Sequence, residues 1–287
     1  MRLVSFGPAG EERPGVLLDF GILDVGAHDP SLPASLRGIL ASARLDDVRR
    51  IASAARPGDV GIAPLAGTRL GPPIPDASKI VCVGLNYADH AAEQHKPLPD
   101  TPLLFAKAPT CLIGGGDAIV LPDIEPKVDV EAELCVVIGR RARRVRAAQA
   151  YDFVAGYTCF NDVSGRAAQY GDKQWFRGKS FDTFAPCGPY LLTRDELPEP
   201  HDLAIGSRIG ERVMQASRTD QMVIRVPQLV EYITGSMTLL PGDLIATGTP
   251  AGVGVFRDPP VFLRAGDVVT VQIERLGELT NPVVAMT

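Results

Sequence analysis

A single tryptophan, five cysteines and no apolar stretch of membrane length are the first limits that the 287 residues set. The cysteines, at 82, 111, 135, 159 and 187, are odd in number and never closely paired. Disulfide frameworks and zinc knuckles need paired, closer spacing, so these read as buried thiols in a reducing cytoplasm. Positive charge is also short. Twenty-nine Lys and Arg against 34 Asp and Glu leave −5, which speaks against nucleic-acid or anionic-membrane partners. No run reaches the ~20 apolar residues of a membrane span, and Glu11 and Glu12 interrupt the N-terminus before a signal-peptide core can form. The expectation is a cytoplasmic protein without membrane or nucleic-acid partners.

Glycine and proline are plentiful instead, 29 and 25 in number, about a fifth of the chain. That is loop-rich but short of the roughly 25–30% at which low complexity becomes the default. Residues 1–20 read as two short strands, Arg2–Phe6 and Gly15–Phe20, joined by a polar turn. Residues 31–56 carry helical apolar spacing, and Gly71-Pro72-Pro73-Ile74-Pro75 reads as a stiff linker. The expected division is a small N-terminal α+β domain over 1–72 and a larger domain over 73–287. Beyond the linker, short apolar runs alternate with turns, while helical signals are brief, at 86–95, 163–170 and 226–235. That pattern predicts an α+β, strand-dominated fold, a roll or sandwich rather than a doubly wound sheet. The arginines at 140, 141, 143, 144 and 146 read as a solvated turn after a buried strand.

Three segments carry candidate chemistry. In Val128–Ile138, strand alternation puts Asp129, Glu131 and Glu133 on one face. Three acids beside a buried strand repel unless water or a cation compensates them, and hard oxygen ligands suit Mg²⁺, Mn²⁺ or Ca²⁺. A solvated edge strand would give the same pattern. In the second segment, Asp162 stands where a strand gives way to a helix, with Arg166 and Gln169 at i+4 and i+7. A capping Asp with a surface Arg explains that spacing equally well. In the third, Asn86 is placed to cap a short helix on which His90 and Glu93 are i,i+3 neighbours. A carboxylate at that spacing can orient an imidazole for deprotonating water. Lys96-Pro97 then opens a polar loop suited to a mobile lid.

Six motifs in order carry a resemblance. They are Gly84-Leu85-Asn86-Tyr87-Ala88-Asp89-His90 with Glu93, Phe105-x-Lys107, Glu131-x-Glu133, Asn161-Asp162, Gly178-Lys179-Ser180-Phe181-Asp182, and Gly248-Thr249-Pro250-x-Gly252-Val253-Gly254. Each alone is weak. Together, from about residue 76 to 275, they resemble the fumarylacetoacetate hydrolase superfamily. The resemblance implies a mixed β-roll or sandwich catalytic domain, a homodimer, and one divalent cation, Mg²⁺ or Mn²⁺ with Ca²⁺ as an option. It implies Glu131, Glu133 and Asp162 as ligands, and His90 with Glu93 as a water-activating dyad. Lys179 would be catalytic, while Arg166, Gln169 and Thr249 would contact substrate. Asp89 and Asp129 would support the others. The glycines at 248–254 lack the phosphate-loop pattern and fit close backbone approach to a ligand better.

The implied reaction is metal-dependent hydrolysis of a carbon–carbon bond in a 2,4-dioxo acid. The same constellation serves an isomerase of the 5-carboxymethyl-2-hydroxymuconate or 2-hydroxyhepta-2,4-diene-1,7-dioate type, or an oxaloacetate decarboxylase. A catalytically idle binder of a metal or 2-oxo acid is the reading from another class, and the dyad argues against it. Two departures stand out. Leu85 lies where some acylpyruvate-cleaving members carry Arg, and Gly165-Arg166-Ala167 replaces the more usual Ala-Arg-Asp.

Overall fold

The computed structural model describes residues 1–286. Its architecture is organised around the strand Ala132–Ile138, every residue of which is buried. Leu134, Val136 and Ile138 enter one apolar cluster with Val81, Val83 and Tyr157. Cys135 and Val137 point the other way, into a cluster with Leu3, Ile39 and Phe160. A strand covered on both faces reads as continuous apolar sequence rather than an alternating one. The helix Val226–Ser236 closes the first cluster with Leu229, Val230 and Ile233. Two N-terminal helices, Leu36–Ala41 and Leu45–Ala54, close the second.

Ala132–Ile138 pairs antiparallel with Val154–Asn161 on one side and Leu244–Ala246 on the other. Leu244–Ala246 then pairs parallel with Ile80–Gly84, and that strand pairs with Leu103–Lys107. In the opposite direction Val154–Asn161 pairs with Ala185–Thr193, and Ala185–Thr193 pairs with the N-terminal strand Arg2–Phe6. One twelve-stranded sheet thus runs from the N-terminal segment into the rest of the chain. A five-stranded sheet, including Ala204–Ile209, Arg212–Arg218 and Val268–Ile273, lies beside it. The strand-dominated expectation holds.

The proline segment read as a linker is packed. Gly71 pairs with Ser5, the Ser5 hydroxyl donates to Pro73 O at 2.8 Å, and Ile74 is buried. Residues 1–72 therefore share a sheet and a core with the larger, C-terminal part of the chain. The five arginines at 140–146 are exposed, in keeping with a solvated turn.

Gly156 sits in the middle of Val154–Asn161, and a Cβ built on it would lie 2.0 Å from Leu192 O, part of the neighbouring strand's backbone. Backbone cannot swing aside as a side-chain tip can, so Gly156→Ala must push the strands apart. We expect a loss of roughly 3 kcal/mol, a fall in Tm of about 6–12 °C by calorimetry. A Tm within about 2 °C of the parent would show that the sheet accommodates the methyl.

Candidate active site

Glu131, Glu133 and Asp162 meet at one end of the central strands. Glu133 lies on Ala132–Ile138, Glu131 just ahead of it, and Asp162 just past Val154–Asn161, whose Asn161 is the register partner of Ala132. One oxygen from each carboxylate can be chosen so that all three lie within 4.8 Å of one another. Backbone bonds fix the arrangement: Asp162 N–H donates to Glu131 O at 2.9 Å, and Glu131 N–H donates to Asn161 Oδ1 at 3.1 Å. The acidic run is not one continuous strand. Val128–Asp129 pairs separately with Ser164–Gly165, and the break at Val130 and Glu131 turns Asp129 to Arg166. Nor does Asp162 share a helix with Arg166 and Gln169, because the helix begins only at Arg166.

Three buried cations answer these acids. Lys179 Nζ lies 2.7 Å from Glu131 Oε2 and 2.6 Å from Asp162 Oδ2. Lys107 Nζ donates to Asp162 Oδ1 at 2.6 Å and Val163 O at 3.1 Å. Arg166 reaches Asp129 Oδ2 at 2.7 Å and Glu131 Oε1 at 2.8 Å, and donates to Gln169 Oε1 at 2.9 Å. Burial works to raise the Glu131 carboxyl, but Lys179 and Arg166 outweigh it and hold the group below the usual carboxylate range. Burial likewise works to lower the Lys179 ammonium, and Asp162 and Glu131 outweigh it and raise it.

Glu133 is the exception. It is 1% exposed, accepts one bond from Gly248 N–H at 2.9 Å, and has no ion pair among the described residues. Burial, then Asp162 and Glu131, push its carboxyl well above the usual range. An acid buried without its own cation, beside two further carboxylates, is where a divalent ion would fit, and an all-oxygen donor set suits Mg²⁺ or Mn²⁺. Asn161 Nδ2, buried beside this cluster without a partner, is a second polar atom the protein leaves open.

The helix Ala88–Glu93 brings the expected dyad to the same place. His90 Nδ1 lies 3.0 Å from Glu93 Oε2, and Gln94 Nε2 lies 2.7 Å from His90 Nε2. Asn86 does not cap this helix; Tyr87 takes the cap position. Asn86 instead donates to Ile224 O and Thr247 O at 3.0 and 2.8 Å and accepts from Ile224 N–H at 2.9 Å. It ties the root of the helix to two other segments. Asp89, beside His90, accepts from Ser217 Oγ at 2.5 Å.

The glycine-rich loop works through its backbone. Gly248 N–H donates to Glu133, Gly252 N–H to Glu93 at 2.9 Å, and Gly254 and Val255 N–H to Asp129 at 2.8 and 3.0 Å. Gly252 needs its φ of 103°, and a Cβ there would meet Met214 O at 2.3 Å. Thr249 Oγ1 donates to Ala132 O at 2.9 Å and accepts from Gln215 Nε2 at 2.7 Å. Sequence reasoning assigned no role to Lys107, although it stands in the Phe105-x-Lys107 motif, and passed over Gln215 and Glu125. Gln215 lies on a polar strand whose burial nothing in the pattern betrays. Glu125 accepts the N–H groups of Ala167 and Ala168, at the start of the Arg166 helix.

His90, Gln94, Glu131, Glu133, Gln169, Lys179 and Thr249 open onto a cavity of about 210 Å³. A larger groove of about 630 Å³ lies over Ala204–Ile209 and Arg212–Arg218 and holds none of the acid triad. The small cavity, lined by Glu131, Glu133 and His90, is the candidate enzyme site, of a kind whose buried acids could hold a metal. The chain belongs to the fumarylacetoacetate hydrolase family, whose C-terminal model matches residues 79–284. It is similar to the mitochondrial oxaloacetate tautomerase FAHD2A of Bos taurus, 43% identical over 99% of this chain and 92% of that protein. The solved 5-carboxymethyl-2-hydroxymuconate delta-isomerase from Mycobacterium smegmatis is 36% identical, with TM-score 0.78 and full coverage of both chains. The maleylpyruvate hydrolase from Sphingobium sp. SYK-6, solved with manganese(II) and pyruvate, is 31% identical, with TM-score 0.83 and full coverage of both. Family members of this kind are enzymes acting on small oxo acids, and this chain is an enzyme of that family. Among the described residues no helix is long and apolar enough to cross a membrane.

The unmatched carboxylate yields a test. With its folded pKa raised, Glu133 destabilises the metal-free protein at every pH above its unfolded value, near 4.3. Glu133→Gln keeps the shape and the bond from Gly248 while removing the charge. We expect the metal-free variant to melt above the metal-free parent at pH 7–8, by about 2–4 °C per kcal/mol gained, with the gain vanishing towards pH 4. Titrated with Mn²⁺, the variant should lose most of its affinity. A metal-free variant that melts below its parent at pH 8 would refute this account of Glu133.

Proposed function

We propose that this enzyme binds a small 2-oxo acid at a divalent cation, Mg²⁺ or Mn²⁺, and moves a proton at the carbon beside the oxo group. The outcome is keto–enol interconversion, with oxaloacetate the leading substrate. The observation that carries this reading is that His90, with Glu93 3.0 Å behind it, opens onto the same 210 Å³ cavity as Glu131 and Glu133, against which Asp162 is packed. A cavity of that size suits a substrate of a few carbons. The similarity to an oxaloacetate tautomerase over nearly the whole chain supports the choice of proton transfer.

Glu131, Glu133 and Asp162 would hold the cation, which when bound supplies positive charge to polarise the oxo group. The protein's own groups do the rest. Glu93 Oε2 accepts from His90 Nδ1–H, which leaves Nε2 as the basic nitrogen. Gly252 N–H holds the other Glu93 oxygen and keeps the pair in register. In the keto-to-enol direction His90 Nε2 takes the proton from the substrate carbon and passes it to the oxo oxygen, and the enol-to-keto direction runs the same transfers backwards. Gln94 must yield its 2.7 Å contact with that nitrogen for this to happen. Lys179 holds Glu131 and Asp162 in place, keeps the Glu131 carboxyl low, and stands beside the developing negative charge. Gln169, its Oε1 held by Arg166, retains amide donors with no partner among the described residues, and these would meet the substrate. Arg166 and Thr249, expected as substrate contacts, serve in this reading to position Asp129, Glu131 and Ala132.

Hydrolytic carbon–carbon cleavage is the second reading, favoured by the shared fold of the maleylpyruvate hydrolase. There His90 would take its proton from water instead. Enol absorbance and product identification on oxaloacetate and a 2,4-dioxo acid, with Mg²⁺, with Mn²⁺ and with EDTA, separate the two. The expected result is metal-dependent loss of the enol signal of oxaloacetate without fragmentation, with His90→Ala slower by about 10²–10⁴-fold. Fragmentation of the dioxo acid with no effect on oxaloacetate would replace the first reading by the second. Release of CO₂ would make the enzyme a decarboxylase, and full activity in His90→Ala would remove the dyad from either mechanism.

A further inference from the structure

Three cationic side chains line the cavity: Lys96, Arg166 and Lys179. Arg166 is committed to Asp129, Glu131 and Gln169, all within 2.9 Å. Lys179 is committed to Glu131 and Asp162, at 2.7 and 2.6 Å. Lys96 is exposed at the lip and has no acidic partner among the described residues. It is the one cation that a ligand could claim without displacing an ion pair from the floor.

Its place at the lip is set by backbone bonds. Beyond Ala88–Glu93 the chain turns through His95 at φ 54°. There Lys96 N–H reaches back to Ala91 O at 2.9 Å, and His95 N–H to Ala92 O at 3.0 Å. This paired closure satisfies two helix-end carbonyls and redirects the chain sharply, and Pro97 keeps the helix from continuing. The lysine is thus delivered by the same helix that carries His90 and Glu93. Between lip and floor the wall is apolar, formed by Val83, Leu85, Phe105, Trp175 and Phe256. A carboxylate pointing out of the cavity would meet no uncommitted cation along that wall.

We propose that Lys96 binds the distal carboxylate of a dicarboxylic 2-oxo acid and so makes the site selective for dicarboxylates. This deepens the 2-oxo acid reading of the site and rests on it. An ammonium is a compact point charge without bidentate geometry, so the selection is by charge rather than by shape. At an exposed lip the effect is modest and screened by salt. A preference of roughly 3- to 10-fold is the expected scale.

The test compares oxaloacetate with its C4 methyl ester, which keeps the length of the ligand and removes the distal charge. Both are titrated calorimetrically and assayed for turnover with the magnesium-loaded protein, as wild type, Lys96→Met and Lys96→Arg. We expect the wild type to favour the acid through Kd and KM rather than kcat. Lys96→Met should bring the acid-to-ester ratio to about one, Lys96→Arg should restore it, and added salt should erode it only where the cation is present. The proposal is overturned if the wild type shows no preference, if Lys96→Met keeps it, or if Lys96→Met weakens acid and ester equally. Binding of oxaloacetate without turnover would instead overturn the tautomerase reading, with the role of Lys96 still decided by the binding ratio.

Discussion

The site depends on one electrostatic constraint: four carboxylates are buried together, and the chain supplies three cations to answer them. Asp129, Glu131, Glu133 and Asp162 are each at most 6% exposed. Arg166, Lys107 and Lys179 pair with three of them. Burying a charge without a partner is costly, and a group so placed holds its proton instead. Glu133 carries that burden here, because no ammonium or guanidinium reaches it. Had the chain offered a fourth cation, the cluster would be a closed ion-pair network with nothing left to bind. The missing charge makes the cluster a candidate metal centre rather than a structural salt-bridge knot.

The same constraint explains why the glycine-rich loop departs from a phosphate cradle. Its N–H groups are occupied by the protein's own carboxylates, at Glu133, Glu93 and Asp129. One short segment thereby joins the metal-type acid, the partner of His90, and the acid that holds Arg166. Close approach is possible only without side chains at Gly252 and Gly254, where a Cβ would meet Met214 O at 2.3 Å and Val261 O at 1.9 Å. Asn86 performs a parallel service on the other side, tying the root of the His90 helix to Thr247 and Ile224. Dyad and acids are held in register by backbone bonds, and the helix between them is short.

Much of the fold was readable because local rules and function pointed the same way. Arg2–Phe6 was bounded from its apolar run alone, and it is a strand over those residues. The i,i+3 spacing of His90 and Glu93 did produce a 3.0 Å contact. What failed were inferences needing tertiary information. The Asp129–Glu133 alternation was broken at Val130 and Glu131, and Asp129 pairs with Arg166 instead of staying in line with the other two acids. Asn86 looked like a cap because caps are local, and its actual partners lie 138 and 161 residues away. Gln215 and Lys107 were invisible for a related reason. A polar residue on a strand signals a solvated face unless its buried partners are known, and those partners are distant in sequence.

The division between floor and lip bears on how one family holds hydrolases, isomerases and tautomerases. The floor is rigid by construction: its acids are buried and tied to the central strands, and all but Glu133 are paired with a cation. In the proposed reading it serves to polarise an oxo acid and leaves what happens next to other groups. That decision falls to groups on the short helix and its exit, where His90 meets Gln94 and where Lys96 stands unpaired. A proton taken from carbon and a proton taken from water differ only in what lies within reach of His90 Nε2. On the proposed mechanism, residues that set the outer end of the substrate would therefore also set the reaction, by placing either a carbon or a water at that nitrogen. Leu85 belongs to this group, lining the cavity with an apolar side chain at a φ of 56°. With that wall apolar, the proposed reading leaves the charge of the substrate's far end to Lys96 at the lip, just past the helix that carries His90.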